Sequence, residues 1–251
     1  MNSWSAAARI LALLAALVLG GDVLAREATA NRYTIVPASL DGIGKVYMGR
    51  EIARVMGFPG ASWLERPERT REERPDLVLQ ALDLQPGMTV ADVGAGTGYY
   101  TRAIAQRVGD TGVVYAVDIQ PQMLAILDRQ LVRQGTTNVR PVLATPIDPR
   151  LPDGALDLTL MVDVYHELEY PHETVEAIVR ALKPFGRLVF VEYKGEDASV
   201  PIRPLHKMTE TQVRNEASMH SLEWEKTVNT LPWQHVIVFR KKRPADRDVP
   251  P

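Results

Sequence analysis

A chain of 251 residues is long enough for one sizeable α/β domain with appendages and short for two. A composition of 45% hydrophobic and 24% charged residues with a net charge of −2 is ordinary for a globular protein, and it gives no electrostatic case for a nucleic-acid partner. The absence of cysteine excludes disulfides, thiol catalysis and thiolate metal sites together.

The first element is Arg9 followed by "ILALLAALVLGG" and "DVLARE". The apolar run is short for a comfortable bilayer span, and Val23 and Ala25 match the small-residue pattern of a signal-peptidase site. Residues 1–25 are therefore expected to be a signal peptide cleaved after Ala25, or a signal anchor. A buried N-terminal helix fits least, because the run is apolar on all faces. The expected location is exported, periplasmic or secreted, or tethered to a membrane through this segment.

Residues 26–78 are expected to form a helical leader or lid. Ile52, Val55 and Met56 sit at helical spacing before Gly57, Pro59 and Gly60 break the pattern. The mixed charges from Glu65 to Arg74 suggest a solvated helix, and "DLVLQALDL" a helix capped by Asp76. Trp63 and Leu64 either form a lid over a site or dock the leader onto the domain.

Residues 79–243 alternate strands and helices. "TVADVG", "GVVYAVD", "VRPVLA", "ALDLTLMVDV" and "GRLVFVEY" read as strands, separated by helical "YYTRAIAQRV", "PQMLAILDRQLVRQG" and "HETVEAIVRALK". Such repetition implies a doubly wound, mostly parallel sheet of seven strands. "SLEWEKTVNTL" and "HVIVFRKK" are too closely linked for a parallel crossover and are expected to close the sheet as an antiparallel pair. The tail 244–251 is expected to be disordered. Arg240 to Arg243 read as a solvated strand end, since no aromatic interleaving supports a basic binding patch.

"VADVGAGTG" carries the chemistry. Gly94, Gly96 and Gly98 lie between a strand and a helix N-terminus, where glycine lets backbone approach a ligand. A phosphate loop requires Lys and Ser or Thr next, and Tyr99 and Tyr100 stand there instead. A dinucleotide fingerprint wants its third glycine where Tyr99 stands, and Asp92 would repel a pyrophosphate. A cofactor bearing an ammonium and a sulfonium would welcome that carboxylate. Asp118 ends the next strand, in position to accept from both ribose hydroxyls, with Ile119 beside it for an adenine face.

On these residues the chain resembles the class I S-adenosylmethionine-dependent methyltransferases, nearest the small-molecule enzymes of ubiquinone and menaquinone biosynthesis. "VADVGAGTG" is similar to that family's glycine motif, "VYAVDIQPQML" to its acidic ribose motif and "ALKPFGRLVFVE" to its fifth-strand motif. The resemblance implies a Rossmann-like fold and S-adenosyl-L-methionine as cofactor. It further implies that Asp92, Gly94, Ala95, Gly96 and Gly98 surround the methionine part, Asp118 holds the ribose, and Asp148 lies near the adenine amino group. Phe185 replaces the first glycine of the family's "KPGG" turn.

Ligands of open α/β sheets lie beyond the carboxyl ends of the strands, where "MVDVYHELEY" places Asp163, Tyr165, His166 and Glu167. Asp163 is expected beside the cofactor. His166 or Glu167 either serves as a base for a small-molecule acceptor or only orients the following helix, and Tyr165 either lines the pocket or packs. His206 and Lys207 either contact the acceptor or face solvent on a short helix whose Leu205 and Met208 point inward. His166 and His172 are six apart, a spacing with no fixed ligand geometry, so no metal is expected. The reading is methyl transfer to a small organic acceptor. The alternatives are a binding module without catalysis and an NAD-type oxidoreductase, which the glycine spacing disfavours.

Overall fold

In a computed structural model of the protein, residues 32–243 are described. The segment expected to direct export, residues 1–25, and the tail 244–251 lie outside them. Among the described residues no helix is long and apolar enough to cross a membrane. The chain divides into two compact units, one ending at Ile52 and the other beginning at Ala53.

The first unit corrects the expected helical leader. It is a three-stranded sheet of β1 (Tyr33–Ile35), β2 (Gly42–Tyr47) and β3 (Arg50–Ala53) in that order. Met48 and Gly49, at φ 45° and 91°, form the two-residue link between β2 and β3, the backbone signature of a hairpin turn whose twist matches its strands. Glu51 Oε1 accepts from Ser39 N at 3.0 Å and Gly44 N at 2.9 Å, pinning the β1–β2 connection. The helical spacing misled because a glycine-punctuated segment gains more from hairpin pairing than from a helix.

The second unit opens with short helices α1 (Ala61–Leu64), α2 (Arg69–Glu72) and α3 (Pro75–Ala81). The segment Glu65–Arg74 is not a solvated helix. Glu73 is fully buried and receives Arg69 Nε at 2.6 Å, Arg66 Nη2 at 2.6 Å and the Tyr193 hydroxyl at 2.8 Å. Nor does Asp76 cap α3: Arg74 does so in the left-handed region at φ 51°, and Pro75 starts the helix.

The sheet that follows carries the expected architecture. Its strands are β4 (Thr89–Val93), β5 (Val113–Asp118), β6 (Val139–Leu143), β7 (Leu156–Val162), β8 (Leu182–Lys194), β9 (Lys207–Met208), β10 (Leu222–Val228) and β11 (Gln234–Lys241). The order is β10-β11-β8-β7-β4-β5-β6, with the two-residue β9 attached to β8. Neighbours from β6 to β8 run parallel, while β11 runs against both β8 and β10. The helices are α4 (Tyr99–Val108), α5 (Pro121–Gln134), α6 (Pro171–Ala181) and α7 (Glu210–Ala217).

Alternate residues of each central strand enter opposite cores. Val90, Val189, Val236 and Val238 pack with α3 and α4 through Val78, Leu82, Ile104 and Val108. Ala91, Phe190, Ile237 and Phe239 pack with α6 and α7 through Val175, Ile178, Val213 and Ala217. Burial on both faces explains the continuous apolar runs read in the sequence. Phe185 sits at φ 64° and is half exposed, so the turn keeps the left-handed backbone that glycine would adopt without strain.

Candidate functional site

Strand order reverses at β4, flanked by β5 and β7, and ligands of such sheets bind at this crevice. The turn after β4 is fixed by Gly94 N and Ala95 N, which donate to Val117 O at 2.8 and 2.9 Å. Gly94, Gly96 and Gly98 have φ of 75°, 54° and 87°, all in the region that favours glycine. A Cβ on Gly94 would collide with Val164, and one on Gly96 would lie 2.6 Å from Leu64 Cδ1. Both the β7 turn and α1 therefore close on this loop.

Asp118 meets the loop from β5. Its Oδ2 accepts from Gly96 N at 2.9 Å and its Oδ1 from Gln120 N at 2.8 Å, and burial raises its pKa against the pull of these amides. Each oxygen retains a lone pair, which suits a vicinal diol. Asp92 is buried beneath the loop, where it accepts from Thr101 Oγ1 at 2.6 Å. Burial pushes its pKa up to about 6, with the Asp118 charge adding to the rise. Two carboxylates and an anion-poor glycine turn fit a cationic nucleoside cofactor, and fit a pyrophosphate badly.

A second cluster forms where β7 and β8 end. The turn Tyr165–Glu167 follows β7 and a second turn, Pro204–His206, follows β8. His166 Nδ1 lies 2.5 Å from Glu192 Oε2 and its Nε2 lies 3.1 Å from His206 Nδ1. Glu167 Oε1 is 3.3 Å from His206 Nδ1 and 3.8 Å from His166 Nε2. Glu192 is fully buried, and its Oε1 also accepts from Tyr165 N at 2.9 Å.

Main chain joins the two clusters. Gln120 Nε2 donates to Met56 O at 3.0 Å, and Met56 N donates to Glu167 Oε1 at 3.2 Å. Phe58 N donates to Gln120 Oε1 at 2.8 Å, while Glu65 receives Thr97 Oγ1 at 2.6 Å and Arg102 Nη2 at 2.9 Å. The segment from Met56 to Glu65 thus bridges Asp118, the glycine loop and Glu167.

Residues 91–190, from β4 into β8, match the family described as a methyltransferase domain. A solved S-adenosylmethionine-dependent methyltransferase from Aquifex aeolicus superposes with a TM-score of 0.70 at 27% identity, over 74% of this chain and all of that one. The domain is a class I S-adenosylmethionine-dependent methyltransferase domain. Among curated proteins, the ubiquinone/menaquinone biosynthesis C-methyltransferase of Laribacter hongkongensis is 28% identical over 131 residues, 52% of each chain. Its counterpart in Ectopseudomonas mendocina is 32% identical over 116 residues, 46% of this chain and 45% of that protein. The chain spans about half the length of these curated relatives. S-adenosyl-L-methionine is the cofactor that the family and fold imply.

Within the methyltransferase domain, the residues expected at the cofactor mostly assemble. Asp92, Gly94, Ala95, Gly96 and Asp118 meet at one loop, Gly98 starts α4, and Ile119 is 44% exposed beside Asp118. Asp148 stands exposed after β6 and turns its Oδ1 to Arg150 N at 2.7 Å within its own turn. Asp163 directly follows β7. At φ 52°, it faces the charged core, accepting from Gln234 Nε2 at 2.7 Å. Burial and the charges of Glu73 and Glu192 push its pKa upward.

Of the catalytic candidates, His166 and Glu167 meet, whereas Tyr165 is a core residue, fully buried with its ring edge-on to Phe190 at 4.8 Å. His206 joins the cluster. Lys207 does not: it pairs with β8 through β9, and its Nζ donates to Asp197 O at 3.0 Å. Trp63 is 45% exposed under the Arg66 guanidinium at 3.7 Å, and Leu64 rather than Trp63 reaches the glycine loop. His172, six residues from His166 in the chain, packs against His220 at 4.6 Å, and His206 is the histidine that lies beside His166. Sequence reasoning passed over Glu192, Gln120 and Glu65. A single acid inside the apolar run "LVFVEY" was the available signal for Glu192.

Proposed function

We propose that this domain transfers a methyl group from S-adenosylmethionine to a small organic acceptor held at the ends of β7 and β8. The observation that carries the reading is the hydrogen-bonded path from Asp118 through Gln120 and Met56 to Glu167, beside which His166 pairs with Glu192. That path supports a reading in which Asp118 binds the nucleoside and the His166–Glu167–His206 cluster takes up a proton.

When bound, the cofactor supplies a methyl group on sulfonium, which leaves by in-line displacement. The chain's own residues prepare that event. Asp118 would hold the ribose diol, and Asp92 would face the cationic methionine part. The Gly94–Gly96 backbone permits close approach. Leu64 and Met56, carried by the bridging segment, would keep water from the crevice. Glu192 accepts Nδ1–H of His166, which fixes the tautomer whose Nε2 bears the lone pair. A proton released by the acceptor would be taken up at the His166–Glu167–His206 cluster.

The test is single-turnover transfer from labelled S-adenosylmethionine by the full chain across phenols, enols and quinols. Transfer to one class, abolished in His166→Ala with cofactor binding intact, would support the reading. Binding without transfer to any class would favour a binding module. The apolar run at residues 10–21 supports a further part of this proposal, export or membrane tethering, which fractionation of cells with and without residues 1–25 would test.

A further inference from the structure

Three side chains that the sequence scatters over 40 positions converge on one point. His166 Nε2, Glu167 Oε1 and His206 Nδ1 form a triangle with edges of 3.1, 3.3 and 3.8 Å. Each imidazole nitrogen bears a lone pair in one neutral tautomer, and the carboxylate oxygen does when ionised, so binding an ion here would displace the proton that His166 and His206 share. Edges of this length leave a common point about 2 Å from every corner, the distance at which imidazole nitrogen and carboxylate oxygen bind zinc. The two imidazole rings stand at 77° to one another, so neither ring stacks over the other's nitrogen.

The surroundings match those of a metal site. Glu192 accepts from His166 Nδ1 at 2.5 Å, the carboxylate–histidine arrangement that orients a ligating imidazole and raises its basicity. Carboxylates accumulate here: Glu192 is fully buried and Glu167 is largely so. A dication would balance the charge of the two glutamates when both are ionised. The scaffold is stiff as well. Glu192 lies on β8, His166 and Glu167 follow the adjacent β7, and the pairing of Lys207 with Tyr193 holds the turn that bears His206.

We propose that His166, Glu167 and His206 bind one divalent transition-metal ion, zinc or a borderline relative, with at least one open position for an anionic oxygen. Two nitrogens in three ligands disfavour magnesium and calcium, which take oxygen donors. Three protein ligands leave the coordination incomplete, as at zinc sites that admit a substrate. Resting on the methyl-transfer reading for its biological use, the site narrows the acceptor to a molecule that presents an ionisable oxygen such as an enol, phenol or hydroxamate-like group; with the ion bound, His166, Glu167 and His206 are ligands and accept no proton, and the ion's charge would instead favour the acceptor's oxyanion, whose proton would go to solvent.

The test uses the full chain stripped with a chelator and titrated with cobalt(II), read by visible absorption, with S-adenosylmethionine binding measured in parallel. One cobalt per chain is expected, lost in His206→Ala and in Glu167→Gln and retained in His172→Ala. Glu192→Gln should weaken cobalt binding about 10–100-fold, the usual effect of removing an outer partner of a ligating histidine. Acetohydroxamate should change the cobalt spectrum of the wild-type chain; an unchanged spectrum would overturn the open position. Normal cofactor binding with no cobalt uptake at millimolar metal would overturn the metal site and leave the methyltransferase reading standing. Cobalt uptake without cofactor binding would do the reverse.

Discussion

The two ends of the crevice are built differently. At the cofactor end, main chain does most of the work: the Gly94–Gly98 turn, its bonds to Val117 and the amides that hold Asp118 all lie between Gly94 and Gln120. At the other end, side chains from β8, two turns and the Met56 segment meet across sequence separations of 26, 40 and 111 residues. The first end is a property of one supersecondary unit, and the second exists only when the sheet is complete. Backbone sites tolerate change in their surroundings, whereas side-chain clusters fail when one partner is removed.

This contrast predicts separable losses. The largest effect is expected from His166→Ala, which should lower methyl transfer about 10²–10⁴-fold, the usual contribution of a positioned proton acceptor, while cofactor affinity stays within a factor of about two. Equal loss of both, measured by single turnover and calorimetry, would mean that the two ends are not separable.

Asp92→Asn should raise the stability of the cofactor-free chain at pH 7 by about 1–3 kcal/mol, because a buried carboxylate with pKa near 6 is ionised there at a cost. The sign follows from the shift. Between pH 4 and 6 the folded chain holds a proton on Asp92 that the unfolded chain has released, so this group favours folding at low pH and the contribution disappears as pH rises through about 6. Denaturant melts at pH 5 and pH 7 should therefore diverge less in the variant than in the wild type, and cofactor affinity should fall with the lost charge.

Gly96→Ala should cost about 1–2 kcal/mol, because alanine is strained at φ 54° and its Cβ meets Leu64. Adding Leu64→Ala should recover the steric part and leave the backbone part. The smallest effect is expected from Glu65→Ala. Its contact with Arg102 is partly exposed, so cofactor release should quicken only a few-fold, in line with under about 1 kcal/mol for such pairs. A loss as large as that of His166→Ala would show that the bridging segment is part of the chemistry.

The same contrast explains what was legible in the sequence. Strand runs, Pro121 and Gly135 at the ends of α5, and the glycine turn are local signals, and the structure carries all of them. Asp118 was legible because strand ends point at the crevice. The β1–β3 sheet was missed because short apolar spacing there fits either period, and Met48-Gly49 decides it by turn geometry. Arg69 and Glu73 were read as solvated because charge composition does not reveal that a partner such as Tyr193 lies 120 residues away. His206 was separable from Lys207 only by the register of β9, which sets one at the cluster and the other against Asp197 and Val200.

The most direct test of the central claim is calorimetric titration of the full chain with S-adenosylmethionine, repeated with Asp118→Ala. The account predicts micromolar binding that falls at least about 100-fold in the variant, since hydrogen bonds to a charged partner contribute about 1.5–3 kcal/mol each. Folded protein that takes up no cofactor at millimolar concentration, or an Asp118→Ala variant that binds as tightly as the wild type, would contradict it.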